Sequence, residues 1–309
     1  MGMISDEIAG DPVSDERWVR RSLRKLSQAL AKRGESLSHA TIRKLLLERK
    51  IRPRANSKHL APNPHPDRDQ QFRHLIRCRH RFEHRGDPVV SVDAKNRELI
   101  GPFARAGQTW SAHPPEVYSY DFPGFAEAKA IPYGVYDVRH HRALVGVTLS
   151  KNTPDLAVDT LELWWRRQGQ MAYPEAKRLL ILADGGGSNG YRSRQWKWRL
   201  QQMANREGLA ITVCHYPPGA SKWNPIEHRV FSQISQTWAG MPLTSVDLLM
   251  AALRATQTQS GLRISAYLMR RTYPGKVSVS KAQWKQLRLA RHKTCPLWNY
   301  TLMPRKNGR

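Results

Sequence analysis

No stretch of this sequence approaches the roughly 20 consecutive apolar residues that a membrane-spanning helix needs. Its opening residues, Met1 to Pro12, are acidic and lack the short apolar core of a secretory signal. Cysteine is scarce too. Cys78, Cys214 and Cys295 are far apart and odd in number, so no disulfide framework is suggested. These absences lead us to expect a reduced, cytoplasmic protein. Acidic residues are the last shortage: 25 Asp and Glu stand against 51 Lys and Arg, a formal net charge of +26 over 309 residues. Self-repulsion on that scale opposes compaction unless a polyanion is the partner, and nucleic acid is the leading candidate. A chain of this length can bury one large domain and carry a small accessory one.

What is present begins with two short helices over residues 16–49. Leu23, Leu26 and Leu30 recur at helical spacing, Gly34 supplies a stop, and Ser38 is a good N-cap for a second helix through Ile42, Leu45 and Leu46. Helix, Gly-containing turn and basic second helix form a helix-turn-helix pattern over residues 11–55, with His39, Thr41, Arg43 and Lys44 as groove-facing candidates. A packing hairpin with no DNA role would show the same spacing. Residues 51–68 read as a proline-rich linker, and a charged helix from Asp67 to His84 completes an accessory segment over 56–86. That helix carries His74, Cys78, His80 and His84 but lacks the paired Cys-x-x-Cys half of a zinc finger, so the spacing alone predicts no metal there.

From Asp87 the pattern changes to strands. Pro88 to Asp93 is a short β-branched run ending in a carboxylate; Ile131–Val138 and Ala143–Ser150 form a hairpin; a helix follows from Pro154 to Arg167. Arg178 to Asp184 is a second apolar strand ending in Asp, followed by a glycine-rich turn, a helix over Tyr191–Arg206, a strand over Leu209–His215 and a helix from Asn224. Three strands followed by α-β-α-β-α is the order of a ribonuclease H-like mixed sheet, whose middle strands are covered by helices on both faces. In that order Asp93, Asp184 and Glu227 can converge on one sheet edge. Three converging carboxylates suit hard divalent ions such as Mg²⁺, which can activate water and stabilise a leaving oxygen in phosphodiester chemistry. Each acid also has an ordinary explanation. Asp93 could simply end a strand. Gly185 to Gly190 matches the dinucleotide-binding G-x-G-x-x-G, although no acid follows at the end of the next strand. Asn224, Pro225 and Glu227 fit the N-cap, N1 and N3 positions of a helix.

Within Tyr216-Pro217-Pro218-Gly219-Ala220-Ser221-Lys222-Trp223-Asn224-Pro225-Ile226-Glu227-His228, the stretch Asn224 to His228 is similar to the third-carboxylate motif of mariner-like and related bacterial DDE transposases. With Asp87 to Lys95, Ala130 to Asp137 and Leu182 to Tyr191, the full segment resembles the Rhodopirellula-type DDE transposases of insertion sequences. The resemblance implies that Asp93, Asp184 and Glu227 bind Mg²⁺ (or Mn²⁺) and catalyse cleavage at transposon ends and strand transfer into target DNA. The implied partners are double-stranded DNA and a second copy of the chain in a synaptic complex; a decayed, non-catalytic DNA-binding derivative is the competing reading. It further implies a longer N-terminal region, so a truncated copy is one expectation, and a Thr where Ala94 stands. Around the acids, Lys95, Lys222 and His228 are candidates to contact phosphate, and Trp223 to stack on a base or pack at the rim. The catalytic domain is expected over 87–240 and a helical, basic extension over 241–309, with a helix from Ser245 to Thr258 and a backbone-contact stretch at Lys281–Lys293.

Overall fold

The computed structural model describes residues 8–10, 17–19, 22–49, 51–52 and 65–305, and the chain falls into two units, Met1–Leu60 and Ala61–Arg309. In the first unit, β1 (Ile8–Gly10) pairs antiparallel with β2 (Arg17–Val19). The first helix therefore begins later than its periodicity suggests. Trp18 and Val19 are residue types that favour extended backbone, and the start is set by Ser22, whose hydroxyl accepts from Lys25 N at 3.3 Å. Helix α1 (Leu23–Ala31) ends in a turn where Gly34 adopts φ +87°, a conformation costly for other residues. Ser38 then caps α2 (His39–Glu48), accepting from Thr41 N at 3.1 Å. Leu26 and Ile42 are buried between the helices' flanks, whereas His39, Thr41, Arg43 and Lys44 are all exposed. Much of the expected linker lies outside the described residues.

In the second unit a mixed sheet is built on α3 (Arg68–His84), β3 (Val89–Ala94), β4 (Glu98–Ile100), β5 (Ala128–Asp137), β6 (Arg142–Thr148), α4 (Pro154–Trp164), α5 (Gln170–Ala172), β7 (Arg178–Ala183), α6 (Arg194–Glu207) and β8 (Ala210–His215). They are followed by α7 (Ser232–Thr237), α8 (Val246–Ala255), β9 (Arg263–Leu268), α9 (Lys281–Lys285), β10 (Leu289–Arg291) and β11 (Asn299–Leu302). The strand order is β10-β11-β8-β7-β3-β5-β6-β9, with β4 on β5. Strands β3, β5 and β6 form an antiparallel meander, while β7 and β8 run parallel to β3. Parallel neighbours need crossover connections, and α4 and α6 supply them. This is the ribonuclease H-like order expected from the sequence.

Alternation sorts the side chains. Val90, Val92, Leu179, Ile181, Ile211 and Val213 face α4 and α6, against Leu161, Trp164, Trp196 and Leu200. Val89, Leu180, Leu182 and Cys214 face α3, against Leu75, Cys78 and Phe82. The β5–β6 end of that second face is covered by α7 and α8 through Ile234, Leu249 and Leu253. Both faces are buried, which is why these strands read as apolar runs.

The segment 241–309 departs from the helical extension expected. It adds β9 parallel to β6 at one end of the sheet, and β11 and β10 beyond β8 at the other. All three are short, and the edge strands β9 and β10 carry Arg263 and Arg291, a composition of protected sheet edges that hides their alternation. Helix α6 carries one buried cation. Lys197 Nζ donates to the carbonyl of Tyr191 and lies 5.2 Å from the Tyr300 ring centre. Burial, then Arg291, lowers its pKa from 10.5 to about 8. A lysine depressed in the folded state costs stability while it must be charged. The urea midpoint of the wild type is therefore expected to rise between pH 8 and 10.5 relative to that of Lys197→Met, whose profile lacks this component.

Candidate active site

Strand register brings the first two acids together. Val92 pairs with Ala183 in the parallel β3–β7 ladder, so Asp93 and Asp184 stand one step further on, on strands about 4.8 Å apart. Alternation gives them a common face: Val89, Ser91 and Asp93 on β3, and Leu180, Leu182 and Asp184 on β7 and just past it. Glu227 approaches that face from the segment after β8. It opens a π-helical turn, Glu227–Phe231, that runs into α7. Opposite Asp93 on β5 is Gly134, where a Cβ would meet Ile226 Cδ1 at 2.6 Å and Phe231 Cε1 at 3.0 Å. The missing side chain lets the Glu227 segment press against the sheet.

Asn224 fixes that approach. Its fully buried amide donates to Val92 O and Asp184 Oδ1, both at 3.1 Å, and its Oδ1 accepts from Ser91 Oγ at 2.5 Å. Ser91 Oγ in turn accepts from Ile226 N at 3.0 Å. The side chain is thus spent on β3 and Asp184, not on the helix cap that its sequence position suggests. His215, in register with Ala183 at the end of β8, completes the support. Its Nδ1–H donates to Asp184 O at 2.8 Å, and its Nε2 accepts from the Tyr300 hydroxyl at 3.2 Å, which itself accepts from Trp196 Nε1 at 3.0 Å. Burial above all lowers the His215 pKa to about 4, so the ring is neutral and this tautomer is locked. Sequence reading passed over Ser91 and His215. The one available signal was alternation, which puts Ser91 on the Asp93 face.

The acids repel one another in a partly dry site. Burial, then Asp184, pushes the Asp93 pKa up from 3.8 to about 8, with Ala94 N–H pulling the other way and the nearby Glu227 carboxyl raising it further. Burial raises Asp184 to about 6, offset in part by the Asn224 hydrogen bond and raised further by Glu227. Such a cluster either holds protons or attracts a cation.

The other candidates divide. Lys95 is drawn aside: its Nζ donates to Glu98 Oε1 at 2.6 Å, Arg105 Nη1 donates to Glu98 Oε2 at 2.7 Å, and both cations lie over the Trp238 ring at 5.3 and 5.6 Å. Lys222, Trp223 and His228 are exposed on the segment that leads to Glu227. The Trp223 ring sits 6.0 Å from that of Phe72, at the mouth of a 390 Å³ cleft shared with Arg68, Arg79 and Tyr216. The glycine-rich turn is not arranged as a nucleotide loop. It closes on itself through Tyr191 N–Gly185 O and Gly190 N–Gly187 O bonds, and α6 begins only after the Ser193 cap.

The order of the sheet and its helices is that of a ribonuclease H-like fold. Residues 2–304 match the family model described as the Rhodopirellula transposase DDE domain, and the chain belongs to that family of transposases. Curated proteins give no match. Among solved structures, those of the Mos1 transposase show some similarity to this chain. A paired-end complex with the left transposon end shows 14% identity and a TM-score of 0.42, covering 77% of this chain and 71% of that one. A mariner Mos1 paired-end complex with Mn shows 12% and 0.44 over the same shares. Among the described residues no helix is long and apolar enough to cross a membrane.

Proposed function

We propose that this transposase cuts the ends of its own insertion sequence and joins them to target DNA, with Asp93, Asp184 and Glu227 as the acids that hold the divalent cation. The observation that carries the reading is the convergence of three carboxylates on one sheet edge, two of them with raised pKa values. Oxygen-only donors under mutual repulsion fit hard ions such as Mg²⁺ or Mn²⁺. When bound, such ions activate the attacking oxygen and stabilise the leaving one. The chain's own residues do the positioning. Asn224 orients the Asp184 carboxylate, His215 fixes its backbone, and the Gly134 gap sets how closely Glu227 comes to Asp93. Lys222, Trp223 and His228 lie beside Glu227 and are assigned to the DNA flank; Lys95 can join them only by leaving Glu98. A homodimer holding two ends together suits this role.

The test is cleavage of a duplex carrying the element's terminal repeat by the full chain. Nicking with Mg²⁺ or Mn²⁺ that stops in EDTA is expected. Salt-sensitive binding with no nicking under either metal would instead mark a non-catalytic derivative.

The first unit is proposed to read that repeat through α2. Arg43→Ala and Lys44→Ala are each expected to weaken binding. For a phosphate contact, the plot of log affinity against log salt loses about one unit of slope; for a base contact, discrimination falls by about 1–3 kcal/mol. Unchanged affinity, slope and sequence preference in both variants would remove α2 from the interface.

A further inference from the structure

Helix α3 carries His74 and Cys78 four residues apart on one face, and the fold brings a third metal-binding side chain to them. His292, just past β10, points Nδ1 at His74 Nε2 across 3.1 Å, and Cys78 Sγ lies 3.3 Å from the same His74 nitrogen. The three donor atoms all lie within 4.8 Å of one another. Cys214, fully buried on β8, packs in the same apolar cluster as Cys78 but is not one of the three donors. We propose that His74, Cys78 and His292 form a zinc site that pins α3 to the C-terminal strands.

Three observations support a metal over a hydrogen-bonded cluster. The first is geometry. Zinc bonds of about 2.0–2.1 Å to nitrogen and about 2.3 Å to sulfur give tetrahedral edges near 3.3 Å (N–N) and near 3.6 Å (N–S). The observed separations fall a few tenths of an ångström inside these. The second is satisfaction. His74 Nε2 faces two partners at once, yet a ring nitrogen is either a single donor or a single acceptor. One ion at the centre satisfies every lone pair. The third is orientation. The far nitrogen of His292, Nε2, is 3.0 Å from Thr301 Oγ1, which is 2.9 Å from Thr212 Oγ1, the kind of outer hydrogen bond that fixes the tautomer of a ligating histidine.

The donor set also separates this site from the carboxylates. A thiolate and two imidazoles select zinc over magnesium, and a fourth, non-protein ligand such as water completes the tetrahedral shell. The sequence hides the constellation because its members come from α3 and, more than 200 residues later, from the segment after β10. The two exposed histidines of the same helix, His80 and His84, take no part. What the ion would hold together is already partly joined. Gln71 and Asn299 exchange amide hydrogen bonds at 2.8 and 2.6 Å, and Gln71 also donates to His215 O at 2.8 Å.

The experiment is metal analysis of the full chain purified under reducing conditions from zinc-supplemented cells, without chelator. About one zinc per chain is expected, with a melting temperature that falls by about 5 °C or more on chelation. His292→Ala and Cys78→Ser should lose the zinc, while His80→Ala and Asp184→Ala keep it. Should the variants fail to fold, cobalt loading of the wild type decides. The intense visible bands and thiolate-to-cobalt charge transfer of a tetrahedral site are expected at one equivalent. A zinc-free wild type with a colourless cobalt titration would overturn the proposal. So would zinc that leaves with Asp184→Ala and stays in His292→Ala.

Discussion

Replacing Asp184 by alanine is expected to lower Mg²⁺-dependent strand cleavage by about 10³-fold or more, while terminal-repeat affinity changes less than about threefold. The two effects separate because the acid belongs to the proposed cation site, whereas affinity rests on the phosphate contacts of a chain with a net charge of +26. Misfolding is not the expected cause of the loss. Asp184 sits in a cluster where burial and a neighbouring carboxylate already penalise its charge, so its removal relieves repulsion. Without metal, the melting temperature of the variant should equal or exceed that of the wild type at pH 8. The sign follows from the raised folded-state pKa values. Wild-type stability is fully present near pH 4 and is lost as pH rises through about 6 for Asp184 and about 8 for Asp93. Asp184→Ala removes the first of these losses and weakens the second. Added Mg²⁺ should then raise the melting temperature of the wild type and leave the variant unmoved, since a ligand stabilises only the state that binds it. Cleavage at the wild-type rate in this variant would remove the acids from the chemistry.

Much of this arrangement can be read from the residues, because local rules and global fold agree. Apolar runs ending in Asp93 and Asp184 are what central parallel strands must look like, and Ser38 starts a helix in the structure as its chemistry predicts. Reading fails where a side chain's partner is distant in sequence. Asn224 before Pro225 and Glu227 looks like a helix cap, yet its amide is used on β3 and Asp184. The π-helical turn at Glu227 has no periodic signature of its own, and wide turns of this kind recur where a helix is bent to serve a site. His74 and Cys78 lack a paired motif until the chain after β10 brings His292 beside them. Lys95 shows the converse: strand spacing puts it near Asp93, but Glu98 and Trp238 hold its ammonium aside.

Asn224 is where a positioning role can be separated from a structural one. Asn224→Ala removes donors to Val92 O and Asp184 Oδ1 and leaves the Ser91 hydroxyl without its acceptor, all in a fully buried place. Hydrogen bonds lost at such a site cost about 2–3 kcal/mol, within the stability of a domain this size. The larger effect is expected on the metal. With the Asp184 carboxylate no longer oriented, the Mg²⁺ concentration for half-maximal cleavage should rise by about 10–100-fold, and saturating Mg²⁺ should restore much of the rate. Asn224→Asp keeps the shape but reverses the chemistry. An ionised carboxylate cannot donate to Asp184, and it adds a fourth negative charge to the cluster. Its metal-free stability is therefore expected below that of Asn224→Ala and to fall further as pH rises, with added Mg²⁺ recovering more of it. A merely structural asparagine predicts otherwise: both variants would lose activity in proportion to unfolding, at every Mg²⁺ concentration, and the alanine variant, which also loses side-chain volume, would be the worse of the two.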